Sequence, residues 1–263
     1  MPLEEIINRQ GIIISAPASG AGKTTVTLGL INAFARKRSV QPIKSGPDYI
    51  DSKFQSVAAD RPSYNLDTWA MSSSDILNMI GMVGPSDICI AEGSMGLFDG
   101  VISKGAGGNG STADLASITN WPVILVVDCA KQAQSVAALI TGFNSFRHDI
   151  TIGGVILNNI SSKRHEALVV SEVSKTKVPI LGVIPRSNEL TIPERHLGLV
   201  QAEDLSDLEQ LIFKLGTLIE ENCDLEAIAC TARNSSPAIP TLQKIIPPAQ
   251  RIAIARDNAF TFT

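Results

Sequence analysis

Lys23 and Thr24 close a run of small residues, SAPASGAGKTT (residues 15–25), that follows the apolar stretch GIII (residues 11–14). A lysine and a hydroxyl directly behind glycines suit a phosphate chain. Successive backbone N–H groups in a Gly-rich turn, continued by a helix N-terminus, form a concave anion site. Gly20, Ala21 and Gly22 let the backbone approach such a chain closely. Lys23 is placed to reach the β- and γ-phosphates and the Thr24 hydroxyl to ligate Mg2+, with Thr25 beside it on the first helical turn. The loop is therefore expected to hold the phosphate chain of a nucleotide together with Mg2+. The strict spacing G-x-x-x-x-G-K-[ST] has Pro17 where its first glycine belongs. The small residue six positions before Gly22 is Ala16.

Two further segments add charge. PIKSGPDYIDSKF (residues 42–54) puts Lys44 at a strand end, followed by Asp48 and Asp51. Lys44 could meet the γ-phosphate from the side opposite Lys23, and an acid there could hold Mg2+ directly or through water. Alone, the segment reads equally as a Gly-Pro turn with solvated acids. DICIAEGSMGLFDG (residues 87–100) is an apolar strand ending in Glu92, then a glycine-bearing turn. Acids at strand ends beside a phosphate loop hold the metal or its water. The expected metal set is Thr24, Asp48 and Glu92.

The elements that must position these residues alternate. Strands are predicted over 11–15, 40–44, 88–92, 123–128, 152–158 and 180–184. Helical spacing of apolar residues predicts helices over 24–38, 75–82, 135–146 and 165–174. This alternation means an α/β fold, a mostly parallel sheet covered by helices on both faces. Residues 103–112, SKGAGGNGST, read as a mobile Gly-rich loop, able to close over the site. Residues 230–250 hold four of the 14 prolines and read as a linker. Residues 251–255 then look like the first strand of another domain. The expected organisation is a phosphate-binding synthetase domain over 1–229, a Pro-rich linker over 230–250, and over 251–263 the opening of a domain that continues in a longer protein.

Composition sets outer limits. With 44% hydrophobic and 18% charged residues, the chain can bury a large core. A formal net charge of −4 argues against a nucleic-acid or anionic-membrane coat. The N-terminus lacks a signal-peptide core, and no apolar run is long enough to span a bilayer. Four cysteines without C-x-x-C spacing read as reduced thiols in a cytoplasmic protein. Three scattered histidines leave no zinc pattern.

The loop with Ala16 at its head resembles the dethiobiotin synthetase-like branch of P-loop NTPases, and lacks the extra lysine of the MinD/ParA branch. KSGPDYIDSKF, NLDTW (65–69), EGSMGLFDG, GSTADLA (110–116), PVILVVD (122–128), GGVILNN (153–159) and PERHLGL (193–199) follow one another as in cobyrinic acid a,c-diamide synthases. The resemblance covers about 11–199 and continues weakly to the end. It implies an ATP-dependent ligase that amidates the a and c acetate carboxylates of a corrin precursor. Glutamine would supply the nitrogen through a C-terminal class I amidotransferase domain. Relatives that act on hydrogenobyrinic acid or nickel-sirohydrochlorin stay open as alternatives, and so does the assembly state, homodimer included.

The resemblance implies a catalytic set of Lys23, Lys44, Asp48, Asp51, Glu92 and Asp99. It puts Asp51, Tyr49 and Asp99 near the substrate or ammonia. Tyr49 could lie against the macrocycle or be a buried structural residue. Asn158 would read the adenine edge, or cap the following helix. Ser111, in GSTADLA, is an expected substrate contact. Arg186, Arg195 and His196 are candidates for binding the macrocycle's carboxylates. Three positions depart from the family pattern: Ser52 where Pro is usual, Gln55 where His is usual, and Ser94 where a branched apolar residue is usual. Dethiobiotin synthetase is a rival but lacks PERHLGL. Cobyric acid synthase carries Gln-Asn-Met in place of GPDYID. A ParA-like ATPase switch is opposed by the missing lysine and the acidic balance.

Overall fold

Alternation along the strands explains the layering. In β5 (Val123–Asp128), Val123, Leu125 and Val127 enter one apolar cluster, and Ile124 and Val126 the other. A strand buried on both faces needs helices above and below it. The computed structural model describes residues 9–187, 207–236 and 247–255.

In chain order the elements are β1 (Gln10–Ser15), α1 (Lys23–Ala35), β2 (Val40–Ser45), α2 (Ile50–Ala59), β3 (Tyr64–Leu66), α3 (Ser73–Met82), β4 (Ile88–Glu92) and α4 (Thr112–Thr119). After β5 come α5 (Val136–Phe146), β6 (Ile152–Ile160), α6 (Lys163–Val173), β7 (Ile180–Pro185), α7 (Leu208–Asn222), α8 (Leu225–Thr231) and β8 (Arg233–Asn234). The sheet order is β3-β2-β4-β1-β5-β6-β7, all parallel, with β8 antiparallel on β1. The chain moves outward from β1 to β2 and β3, returns to β4, then crosses to β5. The switch point therefore lies at the carboxyl end of β1, where open α/β sheets bind ligands.

α1 is buried nearly all round, from Val26 to Phe34, because the sheet covers one side and α7 the other. The two helices approach closely at Gly29, where a Cβ would lie 2.8 Å from the Leu215 carbonyl. α3, α4 and α6 are each capped by a serine: Ser72, Ser111 and Ser162.

The six predicted strands and four predicted helices are present, with ends shifted by up to three residues. Three expectations change. The 103–112 segment, expected to be mobile, is tied by Ala106 N–H to Trp69 O at 2.8 Å and Gly107 N–H to Thr68 O at 2.9 Å. Its glycines serve close approach: a Cβ on Gly105 would stand 1.9 Å from the Trp69 carbonyl. The packed unit also runs beyond 229. α8 continues to Thr231, β8 joins β1, and Ser235 N–H donates to Arg9 O at 2.7 Å. Residues 251–255 carry no strand, and Ile252 and Ile254 are exposed, since no neighbouring strand pairs with them among the described residues.

Candidate active site

The phosphate loop leaves β1 at Ser15 and enters α1 at Lys23. Gly20 and Gly22 sit at φ 79° and 86°, a region that strains any side chain. A Cβ on Gly22 would also lie 2.3 Å from Asn158 Nδ2. That same Nδ2 donates to Ala21 O at 2.9 Å, so β6 holds the loop in shape. No side chain caps the start of α1. Its first N–H groups are left for an acceptor lying in the loop, which fits a phosphate chain.

Lys44 and Glu92 face the same side of the sheet as α1. They are register partners on β2 and β4, and their charged atoms are 3.3 Å apart. Lys44 also pairs with Asp51 and, at 3.6 Å, with Asp48. Both aspartates come from α2 and the turn before it. The Asp48 carboxylate accepts from Ile50 N–H and Asp51 N–H, each at 3.0 Å. Thr24 Oγ1 donates to Glu92 Oε1 at 2.6 Å. Glu92 and Lys44 are buried, at 0% and 3% exposure. Lys23, Lys44, Asp48, Asp51, Glu92 and Thr24 thus form one cluster at the switch point.

Its electrostatics follow from burial. Burial pushes the Lys23 ammonium down, and Lys44 nearby adds to this, against opposition from Glu92. Burial also acts against charge on Lys44, but Glu92, Asp51 and Asp48 outweigh it and its pKa is raised. Asp51 is pushed up to about 6, by burial first and the Glu92 charge second. Burial raises Asp48 too, but Lys44 and two backbone N–H donors bring it below the usual carboxylate value.

The donor set fits magnesium. Three carboxylates face two lysines, which leaves one negative charge for a cation to balance. Among the described residues, no group of three or more His, Cys, Asp or Glu could hold a metal ion alone. Mg2+ characteristically takes one or two protein oxygens and completes its octahedron with phosphate and water. Thr24, Glu92 and Asp48 are the residues that would hold it.

The other expected residues lie elsewhere. Asp99 is exposed and accepts from Gly96 N–H at 2.9 Å, shaping a turn that backs onto the phosphate loop. Leu97 N–H in that turn donates to Ala16 O at 2.8 Å. Tyr49 is 56% exposed at the head of α2, not buried. Thr25 is half-buried on α1. Ser111 is buried and accepts from Asp114 N–H as the cap of α4, which leaves it no open face for a substrate. Asn158 is buried against the loop, with its Nδ2 donor committed to Ala21 O. Ser162, not Asn158, caps the next helix. Arg186 is exposed beyond β7, lining a groove of about 750 Å3 with Lys163, Glu166 and Glu221, away from the cluster. Arg195 and His196 lie outside the described residues.

Four polar residues here, Ser52, Gln55, Asn65 and Ser94, were not among the expected site residues. Gln55 donates to Glu92 Oε2 at 2.8 Å, and its own carbonyl accepts from Ser63. Asn65 donates to Gly46 O and Asp48 O, both at 2.7 Å, and fixes the turn that carries Asp48. Ser94 donates to Ser45 O beside Lys44. The missed signal is periodic: Asp48, Asp51 and Gln55 are spaced for one face of a helix. The three departures from the family pattern all make bonds here, Ser52 donating to Asn65 Oδ1 at 2.9 Å.

A family model for the CobQ/CobB/MinD/ParA nucleotide binding domain matches residues 12–200. The chain belongs to that family. The match includes the loop, the Lys44 strand, α2 and Glu92. Within known proteins, the chain is 45% identical over 254 residues to hydrogenobyrinate a,c-diamide synthase of Rhodobacter capsulatus, covering 96% of this chain and 58% of that protein. It is 44% identical over 258 residues to the enzyme of that name from Brucella anthropi, with the same coverage. For the one from a Sinorhizobium species, identity is 46% over 256 residues. The chain therefore spans 58% of the length of these relatives. Their likeness fits the resemblance to the cobyrinic acid a,c-diamide synthases, and the parallel sheet and phosphate loop fit a nucleotide-binding α/β fold. No helix among the described residues is long and apolar enough to cross a membrane.

Proposed function

We propose that this chain is the ATP-using part of an amide synthetase that acts on the a and c acetate carboxylates of a corrin-ring precursor. Hydrogenobyrinate, named for the relatives, is the first candidate; cobyrinate is the second. Glutamine would supply nitrogen through a further domain, with free ammonia able to replace it. The reading keeps the expected cytoplasmic location.

One observation carries it: Lys44, caged by Glu92, Asp51 and Asp48, stands opposite the loop whose Thr24 bonds to that same Glu92. A free carboxylate cannot be amidated directly, because oxide is a poor leaving group. Transfer of the γ-phosphoryl group to the carboxylate gives an acyl phosphate, which ammonia attacks with loss of phosphate. Most of the catalysis is positioning and charge neutralisation. Lys23 holds the β- and γ-phosphates from the loop side, and Lys44 approaches the γ-phosphate from β2. Thr24, Glu92 and Asp48 hold Mg2+, which when bound neutralises phosphate charge. Asp51 sets the position of the Lys44 ammonium. Asn158 braces the loop through its bond to Ala21 O.

Incubation with ATP, Mg2+, ammonium and each macrocycle tests the reading. The expected product is one mass unit lighter for each carboxylate amidated, with ADP and phosphate released in step. ATP consumption that no corrin acid stimulates would overturn it.

A further inference from the structure

We propose that Gln55 is the positioning residue for the Glu92 carboxylate: it fixes the torsion of that group and so aims Oε1 at the place of the metal. The proposal rests on the reading above for the ion's identity.

The torsion that turns a glutamate carboxylate is broad and soft. Burial alone does not aim it. Glu92 is fully buried, and its two oxygens have different partners. Oε1 faces the Thr24 hydroxyl at 2.6 Å and Lys44 Nζ at 3.3 Å, on the side of the phosphate loop. Oε2 faces Gln55 Nε2 at 2.8 Å, on the side of α2. The Gln55 contact therefore holds the rear oxygen while the front one stays with the loop.

Gln55 can do this because it is itself fixed. It is fully buried, and its Oε1 accepts from Ser63 Oγ at 2.8 Å. Flipping the amide would aim an acceptor at the Glu92 carboxylate and break that bond, whereas the Ser63 hydroxyl donates only to the orientation seen. Ser63 is held in turn: its N–H donates to Ser56 Oγ at 2.9 Å, and Ser56 Oγ donates to Ser52 O at 2.7 Å. The chain of bonds closes on α2, the helix that begins beside Asp48 and carries Asp51.

An amide also suits the charge balance. A cation here would compete with the metal for Glu92, and a carboxylate would repel it. Gln55 gives a donor and adds no charge. Removing groups that orient metal ligands typically weakens the metal about 10- to 100-fold.

The test compares the whole chain with Gln55→Leu, Ser63→Ala and Glu92→Gln. Mn2+ is titrated by electron paramagnetic resonance in the presence of a non-hydrolysable ATP analogue, and binding of the analogue is measured separately in EDTA. For Gln55→Leu we expect Mn2+ affinity to fall about tenfold or more, with analogue affinity in EDTA unchanged. A merely structural role would weaken both together, and that result overturns the proposal, as does unchanged Mn2+ affinity. If Gln55→Leu does not fold, as judged by circular dichroism, Ser63→Ala decides. A several-fold loss of Mn2+ with intact EDTA binding supports the proposal, and no loss overturns it. The wild type and Glu92→Gln separate the two levels. If the wild type binds Mn2+ no better than Glu92→Gln, the metal reading itself fails, whatever Gln55 does.

Discussion

Lys44 and Glu92 are register partners on neighbouring parallel strands, and they form a buried ion pair at 3.3 Å. Strand alternation forces this. Ile43 and Ala91, one residue earlier on each strand, enter the opposite core. Removing the lysine charge would leave Glu92 and Asp51 facing each other. Lys44→Met is therefore expected to destabilise the metal-free protein by about 3 kcal/mol. Urea denaturation with EDTA present measures this, and an unchanged midpoint contradicts it.

Lys23→Ala should lower ATP turnover by about 100-fold or more. Lys23 belongs to neither apolar core cluster, so the circular dichroism spectrum should match the wild type. Wild-type turnover in this variant would mean that the loop is misread.

Glu92→Gln keeps the size of the side chain and loses its charge. Amidation should fall below detection while nucleotide binding is largely retained. Assay by mass spectrometry and by calorimetry separates the two. Undiminished amide formation would remove Glu92 from the metal site.

Asp51 gives a pH signature. Its folded value is raised to about 6 from an ordinary 3.8, so the folded state binds the proton more tightly than the unfolded one. Stability from this group is present in full below the ordinary value and is lost as pH rises through the folded value. Asp48, shifted down, acts oppositely and only below the ordinary carboxylate value. Metal-free wild type should lose about 2 kcal/mol more than Asp51→Asn between pH 4 and pH 7. Parallel stability curves would show that Asp51 is not shifted.

Gly105→Ala tests the packed loop. Its Cβ would fall 1.9 Å from a backbone carbonyl, which cannot move cheaply. We expect a loss of about 2 kcal/mol. A melting temperature equal to the wild type would mean the 103–112 segment is free, as its composition alone suggested.

The sheet was legible because its strands are short apolar runs, and the phosphate loop because glycines, lysine and threonine carry their own mechanism. α2 was not, because two of its four buried positions, Ser52 and Gln55, are polar and break the apolar period set by Phe54 and Ala58. Its missing helix hid the common face of Asp51 and Gln55, one turn apart and next to the turn that carries Asp48. α7, with Leu208, Ile212, Leu215 and Ile219 at helical spacing, was readable and passed over. The glycines of 103–112 look alike in sequence whether they loosen a chain or let it press against a carbonyl. Only the position of Trp69 distinguishes the two.

β8 meets β1 at Gln10 and Gly11, the end of that strand remote from the phosphate loop. At about 3.3 Å per residue, the exit at Ser236 lies some 15 Å below the loop mouth. A label or fusion attached just after that residue should hang clear of bound nucleotide. A cut made at 229 would instead remove β8 and leave Gln10 and Gly11, at the start of β1, with an open edge, inviting chains to stick to one another.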